Sequence, residues 1–148
     1  MKTKNKCQYI LYIIALVIIA LLLTINVNAT KPTKKQVYNK IIEWGIEYPD
    51  IVWKQAWLES HCGKYSNNIF GFRNSCGYLE LDNWIESIAE YKYWQDTRLP
   101  KYIKYKGTSK IDYYDFIWWV GYKDGKRYSK AGKGYIDYLK RIKLRVNE

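Results

Sequence analysis

From Tyr9 to Leu23 the chain is almost uninterruptedly apolar, behind a basic start of Lys2, Lys4 and Lys6. That order of charge and apolar run is the pattern of an export signal. Val27-Asn28-Ala29 presents small residues at the spacing an export peptidase reads, and Thr24, Asn26 and Asn28 make the far end polar, which favours a signal peptide spanning residues 1–29. The competing reading is a retained anchor in the inner membrane through residues 8–27, because the run approaches the roughly 20 residues that cross a bilayer. In both cases the lysines stay inside and residues 30–148 are exported, to the periplasm or the cell surface. Cys7 precedes the run and is not placed like a lipidated cysteine.

Export narrows what the remaining residues can do. Cleavage after Ala29 removes three lysines and no acid, so the formal charge falls from +11 to +8. Such a surface is attracted to polyanions, and outside the membrane these are cell-wall polymers and lipid headgroups rather than nucleic acid, for which the chain carries no motif. Cys62 and Cys76 are the only cysteines in this part, and an oxidising compartment permits them to pair. A bridge of that loop size is worth about 3 kcal/mol in the chain-entropy model. With His61 as the single histidine, a Cys/His metal site lacks ligands, and neither metal nor cofactor is expected.

The apolar spacing predicts a small, mainly α domain of about five helices with one β-hairpin. Val37, Ile41, Trp44 and Tyr48 recur at helical intervals up to Pro49; a second helix runs from Pro49 to Ser60 with Val52, Gln55, Ala56 and Glu59 along one face. Between Gly63 and Leu81 the periodicity gives way to Gly and Asn turn chemistry, and Phe70–Arg73 with Tyr78–Leu81 read as hairpin strands. Asp82 or Asn83 caps a third helix that ends before Pro100, followed by a basic loop from Lys101 to Lys110. Ser109 caps a fourth, from Ile111 to Val120 with Gly121 as its stop, and Tyr135 to Val146 forms the last, with Tyr135, Tyr138, Leu139, Ile142 and Val146 on one side.

One carboxylate stands out. Glu59 closes an apolar helical run, where the negative end of the helix dipole disfavours its charged form by a few tenths to 1 kcal/mol. Burial beside Trp53, Trp57 and Phe70 would act in the same direction. A carboxyl that holds its proton near neutral pH is what protonation of a departing sugar oxygen requires. Seven Trp and 16 Tyr supply flat rings for a sugar cleft, although most serve packing; Trp57, Phe70, Trp118 and Tyr122 are the ones expected nearest to it.

Trp53-Lys54-Gln55-Ala56-Trp57-Leu58-Glu59-Ser60, followed by Asn67-Asn68-Ile69-Phe70-Gly71-Phe72-Arg73, resembles the glucosaminidase domain of glycoside hydrolase family 73, peptidoglycan-cleaving enzymes of the lysozyme-like superfamily. Leu81 to Ile88 is similar to that family's Tyr-Asp-Ser-Trp-x-Glu-Ser stretch, and Phe116 to Tyr122 to the segment ending in its Gly-Tyr. The resemblance implies a lysozyme-like α+β fold, Glu59 as catalytic acid, and a glucosaminidase-like catalytic domain over residues 30–148 acting on the glycan strands of peptidoglycan. It implies that Asn67 to Gly71 form a cleft floor, so that Asn67, Asn68, Phe70 and Gly71 are expected to touch substrate, together with Gln55, one turn before Glu59 on the same helix face, and the Trp118 ring. It further implies an active-site tyrosine from the late segment, where Tyr122, Tyr128 and Tyr135 compete and Tyr135-Ile136-x-x-Leu139 matches best. For a second acid the hairpin offers Glu80 and Asp82, of which Asp82 serves equally as a helix cap and Glu80 is the better base or nucleophile.

Two other functions compete with hydrolysis. A lytic transglycosylase also relies on one glutamate, but carries Gly-Leu-Met-Gln where this chain has Asn-Asn-Ile-Phe-Gly. A wall-binding adaptor with the same fold and no activity is the reading that the unclear second acid favours.

Overall fold

The computed structural model describes residues 31–123 and 133–147. Residues 1–30, on which the expectation of a signal peptide or anchor falls, lie outside them, as does Tyr128. Among the described residues no helix is long and apolar enough to cross a membrane. Five helices and one two-stranded hairpin make up this part, the mainly α architecture that the apolar spacing predicts.

Helix α1, Lys34–Glu43, starts on a capping box in which the Thr33 hydroxyl accepts from Gln36 N and the Gln36 amide oxygen accepts from Thr33 N. It ends a turn earlier than Tyr48. Gly45, at φ 61°, lets Gly45 N donate to Ile42 O and Ile46 N to Ile41 O, a Schellman closure that folds Ile46 into the core. Helix α2, Pro49–Ser60, begins on proline and ends in three successive left-handed residues, His61, Cys62 and Gly63. That reversal buries Cys62 and leads directly into the Asn67–Gly71 turn.

The hairpin is shorter than the sequence suggests: β1, Arg73–Asn74, pairs antiparallel with β2, Gly77–Tyr78, with Arg73 opposite Tyr78. Phe70 and Gly71 belong to the preceding turn instead, with Gly71 N donating to Asn68 O. Helix α3, Trp84–Lys106, is capped by Asn83, whose side chain accepts from Ile85 N and Glu86 N, so Asp82 is not the cap.

Helix α3 also passes through Pro100, contrary to the expected stop. The carbonyl that proline leaves without an N–H is that of Asp96; both residues face solvent, so water can satisfy it, while Leu99 and Tyr102 stay buried on the inner side. The expected basic loop is therefore largely helix, and Gly107, at φ 68°, stops it.

Helix α4, Tyr113–Lys123, is initiated by Asp112 rather than Ser109, with Asp112 Oδ1 accepting from Tyr114 N at 2.9 Å, and it continues past Gly121. Helix α5, Lys133–Arg141, is shorter than expected; Ile136 and Leu139 are its buried residues, and Tyr138 faces solvent. The core joining these helices is rich in aromatics: Phe70 lies 4.3 Å from Tyr91, Tyr91 5.2 Å from Trp94, and Trp94 5.4 Å from Phe116, measured between ring centroids. Edge-on and tilted contacts of this kind add about 0.5–1.5 kcal/mol per pair beyond burial.

Candidate active site

Glu59 lies in the last turn of α2, and the residues immediately after it fix its position. The buried Ser60 hydroxyl, directed to Ala56 O and to Ile69 O at 2.9 Å, also accepts from Gly63 N at 2.8 Å. One small side chain thus ties the helix end to the turn that faces it. Asn68 does the same on the other side: its amide donates to Phe72 O and Leu79 O and accepts from Phe72 N at 2.8 Å. Asn67 donates to Leu81 O and Asp82 O, anchoring the turn to the start of α3.

This turn brings Gly71 against the carboxylate. A Cβ at Gly71 would stand 3.0 Å from Glu59 Oε2, and the residue has φ 65°, so both close approach and backbone conformation call for glycine. From the opposite side Tyr135 Oη, on α5, donates to Glu59 Oε1 at 3.0 Å. Glu59 is exposed as a residue, yet protein atoms crowd the inner side of the carboxylate. That desolvation raises its pKa above the ordinary carboxyl value, while the Tyr135 hydrogen bond and the positive charge of Arg73 pull it back. Solvent on the open side limits the lift. Burial and the neighbouring carboxylate push the Tyr135 phenol upward, so it stays protonated and remains a donor.

Of the residues expected at the site, the structure brings together Glu59, Gly71 and Tyr135. Others move to different roles. Gln55, expected to touch substrate, is 1% exposed, and its Oε1 accepts from Tyr91 Oη at 2.5 Å. Phe70 is fully buried against Tyr91, so its ring is core and not cleft wall. Asn68 has both amide N–H groups committed to backbone carbonyls, which makes it a fastener of the turn; Asn67 is exposed, but its amide is likewise held by backbone. Trp118 opens onto a separate groove of about 500 Å³ shared with Asp112, Tyr114, Ile136 and Lys140, and Trp57 lines another of about 440 Å³ with Tyr138, Arg141 and Lys143. Glu59 lines neither.

Glu80 is exposed just beyond β2, and Asp82 is exposed where the chain enters α3. Tyr122 falls on α4, but its side chain is outside the described residues. Cys62 and Cys76 are both free: Cys62 is drawn into the core by the left-handed end of α2, whereas Cys76 sits at the exposed tip of the hairpin, so the expected bridge is not formed. Among the described residues no group of three or more His, Cys, Asp or Glu side chains is placed to hold a metal ion.

Three contributors escape a reading by sequence pattern. Ser60 lies inside the motif but looks like a helix-end polar residue. Arg73, stacked 3.8 Å over the Tyr78 ring and hydrogen-bonded to its hydroxyl, reads as a surface cation until its effect on Glu59 is seen. Tyr91 lies on an apolar helical face with no sign that its hydroxyl has a task. No family model, no curated protein and no solved structure matches the chain.

Proposed function

We propose that this protein is an exported peptidoglycan hydrolase of the endo-β-N-acetylglucosaminidase type, cleaving a β-1,4 bond between N-acetylated amino sugars with Glu59 as general acid. The observation that carries the reading is the pairing of a partly desolvated carboxyl with the Tyr135 hydroxyl at 3.0 Å, beside Gly71, whose lack of a Cβ lets the turn close on Glu59 Oε2. The resemblance of the Glu59 and Asn67–Gly71 stretches to glycoside hydrolase family 73 supports the same assignment.

In this mechanism Glu59, protonated, gives its proton to the leaving glycosidic oxygen as positive charge builds on the sugar ring. The resulting carboxylate is stabilised by the Tyr135 hydroxyl it already accepts from, and at longer range by Arg73. Glu80, exposed beyond the hairpin, is assigned to take the proton of the attacking water. The positive surface, +8 once residues 1–29 are removed, holds the enzyme near an anionic wall.

Zymography on purified peptidoglycan tests the reading. Glu59→Gln keeps the shape and a hydrogen-bond acceptor for Tyr135 but has no proton to give, and lysis should fall by about 10²–10⁴-fold. Lysis equal to wild type would sink the proposal. Reducing-end analysis of the products separates hydrolysis from transglycosylation, which would leave an anhydro sugar.

A further inference from the structure

Helix α5 contributes to two grooves of opposite charge. In the groove around Trp118 it places Asp137 with Asp112 and Asp115, and Lys140 as their counter-charge. In the other, of about 440 Å³, its residues Tyr138 and Arg141 lie with Trp57 of α2 and with Lys143 and Arg145 of the segment that follows. Among the described residues no carboxylate lines this second groove. Neighbouring positions on one short helix thus sort acid to one side and base to the other.

The basic groove has a built wall. Trp53, buried and nearly parallel to Trp57 at 5.9 Å between ring centroids, donates its indole N–H to Lys34 O at 3.2 Å. That bond draws the start of α1 alongside, and Lys34 Nζ stands 4.7 Å from the centre of the Trp57 ring. Opposite in character is Tyr138, which is 55% exposed and has neither a ring contact nor a hydrogen-bond partner among the described residues. Arg141 and Lys143 are exposed and form no ion pair there. Cations gathered without a counter-charge repel one another, and an anion placed among them relieves that repulsion. The planar fork of arginine matches a carboxylate, and an open phenol ring offers a flat apolar face with a hydroxyl at its rim.

The same two helices carry Glu59 and Tyr135. Trp57 precedes Glu59 by two residues on α2, and Tyr138 and Arg141 lie about 5 Å and about 9 Å beyond Tyr135 along α5 at the helical rise. A strand of sugars that brings one bond to Glu59 therefore has a neighbouring unit within reach of the groove. We propose that this groove is a subsite for a carboxylate-bearing amino-sugar strand, with the Tyr138 ring under a sugar face and Arg141 and Lys143 holding the carboxylate. That the ligand is a glycan rests on the hydrolase reading; the preference for an anion rests on the groove alone.

Calorimetric titration of the full-length chain with a disaccharide-peptide fragment of peptidoglycan tests this, in a Glu59→Gln background so that the fragment is not consumed. The fragment with free carboxylates should bind about tenfold tighter than the same fragment with its carboxylates amidated, because hydrogen bonds to an ionised group are about twice as strong as neutral ones. Adding Arg141→Gln and Lys143→Gln should remove most of that preference and leave affinity for the amidated fragment as it was. Tyr138→Ala should weaken both fragments alike. Adding Lys101→Gln and Lys104→Gln instead, at exposed positions of α3 that line neither groove, lowers the net charge equally and should keep the preference. Equal affinity for the two fragments, a preference undiminished without Arg141 and Lys143, or an equal loss from the α3 pair overturns the proposal. So does binding to vesicles of anionic phospholipid that depends on Arg141 and Lys143 while the soluble fragments show no preference. Lysis by Glu59→Gln equal to wild type would remove the hydrolase reading, while the carboxylate preference still decides the groove.

Discussion

Glu59 and Asp115 are both carboxylates that accept a hydrogen bond from a tyrosine on another helix, Tyr135 at 3.0 Å and Tyr102 at 2.5 Å, yet their acidities move in opposite directions. Lys106 Nζ stands 2.6 Å from Asp115 and, with Tyr102, holds its pKa below the ordinary value. Glu59 has only the more distant charge of Arg73, and desolvation by the Asn67–Gly71 turn prevails. A tyrosine partner therefore does not decide the protonation state. What decides it is whether a cation is in contact or a backbone turn presses on the carboxyl. Asp115 is built to stay ionised and fasten α3 to α4; Glu59 is built to keep a proton longer.

The contrast is broken most severely at Gly71. Alanine there meets Glu59 Oε2 at 3.0 Å and must adopt φ 65°, a conformation that costs an ordinary residue about 1–2 kcal/mol. Gly71→Ala should lose that much in urea unfolding and, by displacing the carboxylate, lower peptidoglycan lysis by about 10²-fold, as small misplacements of a reacting group do. Lysis and unfolding indistinguishable from wild type would show that the close approach is unimportant.

Acid and base dependence of stability gives a gentler test. The folded pKa of Glu59 is raised, so its contribution to stability is fully present below the unfolded value and is lost as pH rises through the folded one. Glu59→Gln should therefore gain Tm over wild type as pH rises from about 4 through that window. Asp115 is depressed, so its contribution is present above the unfolded value and disappears on acidification; Asp115→Asn should cost stability at neutral pH and little at low pH. Differential scanning fluorimetry from acid to neutral pH would show two difference curves of opposite slope, and parallel curves would refute the contrast. The smallest effect belongs to Lys106→Gln, which should raise the titration of Asp115 by NMR and leave that of Glu59 in place.

Much of this molecule could be read from local pattern. Val37 and Ile41, or Val52 and Ala56, recur at the helical period because they line one buried face, and Glu59 declares itself by standing at the end of such a run. Proline is the local signal that misleads: Pro100 removes one hydrogen bond from the helix and crowds the carbonyl of Asp96, but here both residues face solvent, where water can take up that carbonyl, and the helix continues. The capping residue was partly legible, since Asn83 and Asp82 both fit the pattern and only the backbone geometry selects Asn83.

By itself, the sequence determined the helical elements, the glycine turn after α2 and the acid that closes it, because each depends on residues a few positions apart. Tertiary structure decided the partners. Tyr135 reaches Glu59 across 76 positions of chain, Gln55 and Asn68 turn inward to satisfy buried polar groups, and the two cysteines part because one is needed in the core. Those outcomes depend on how helices pack and on the cost of leaving a buried N–H or carbonyl unpaired, and no periodicity along the chain records either.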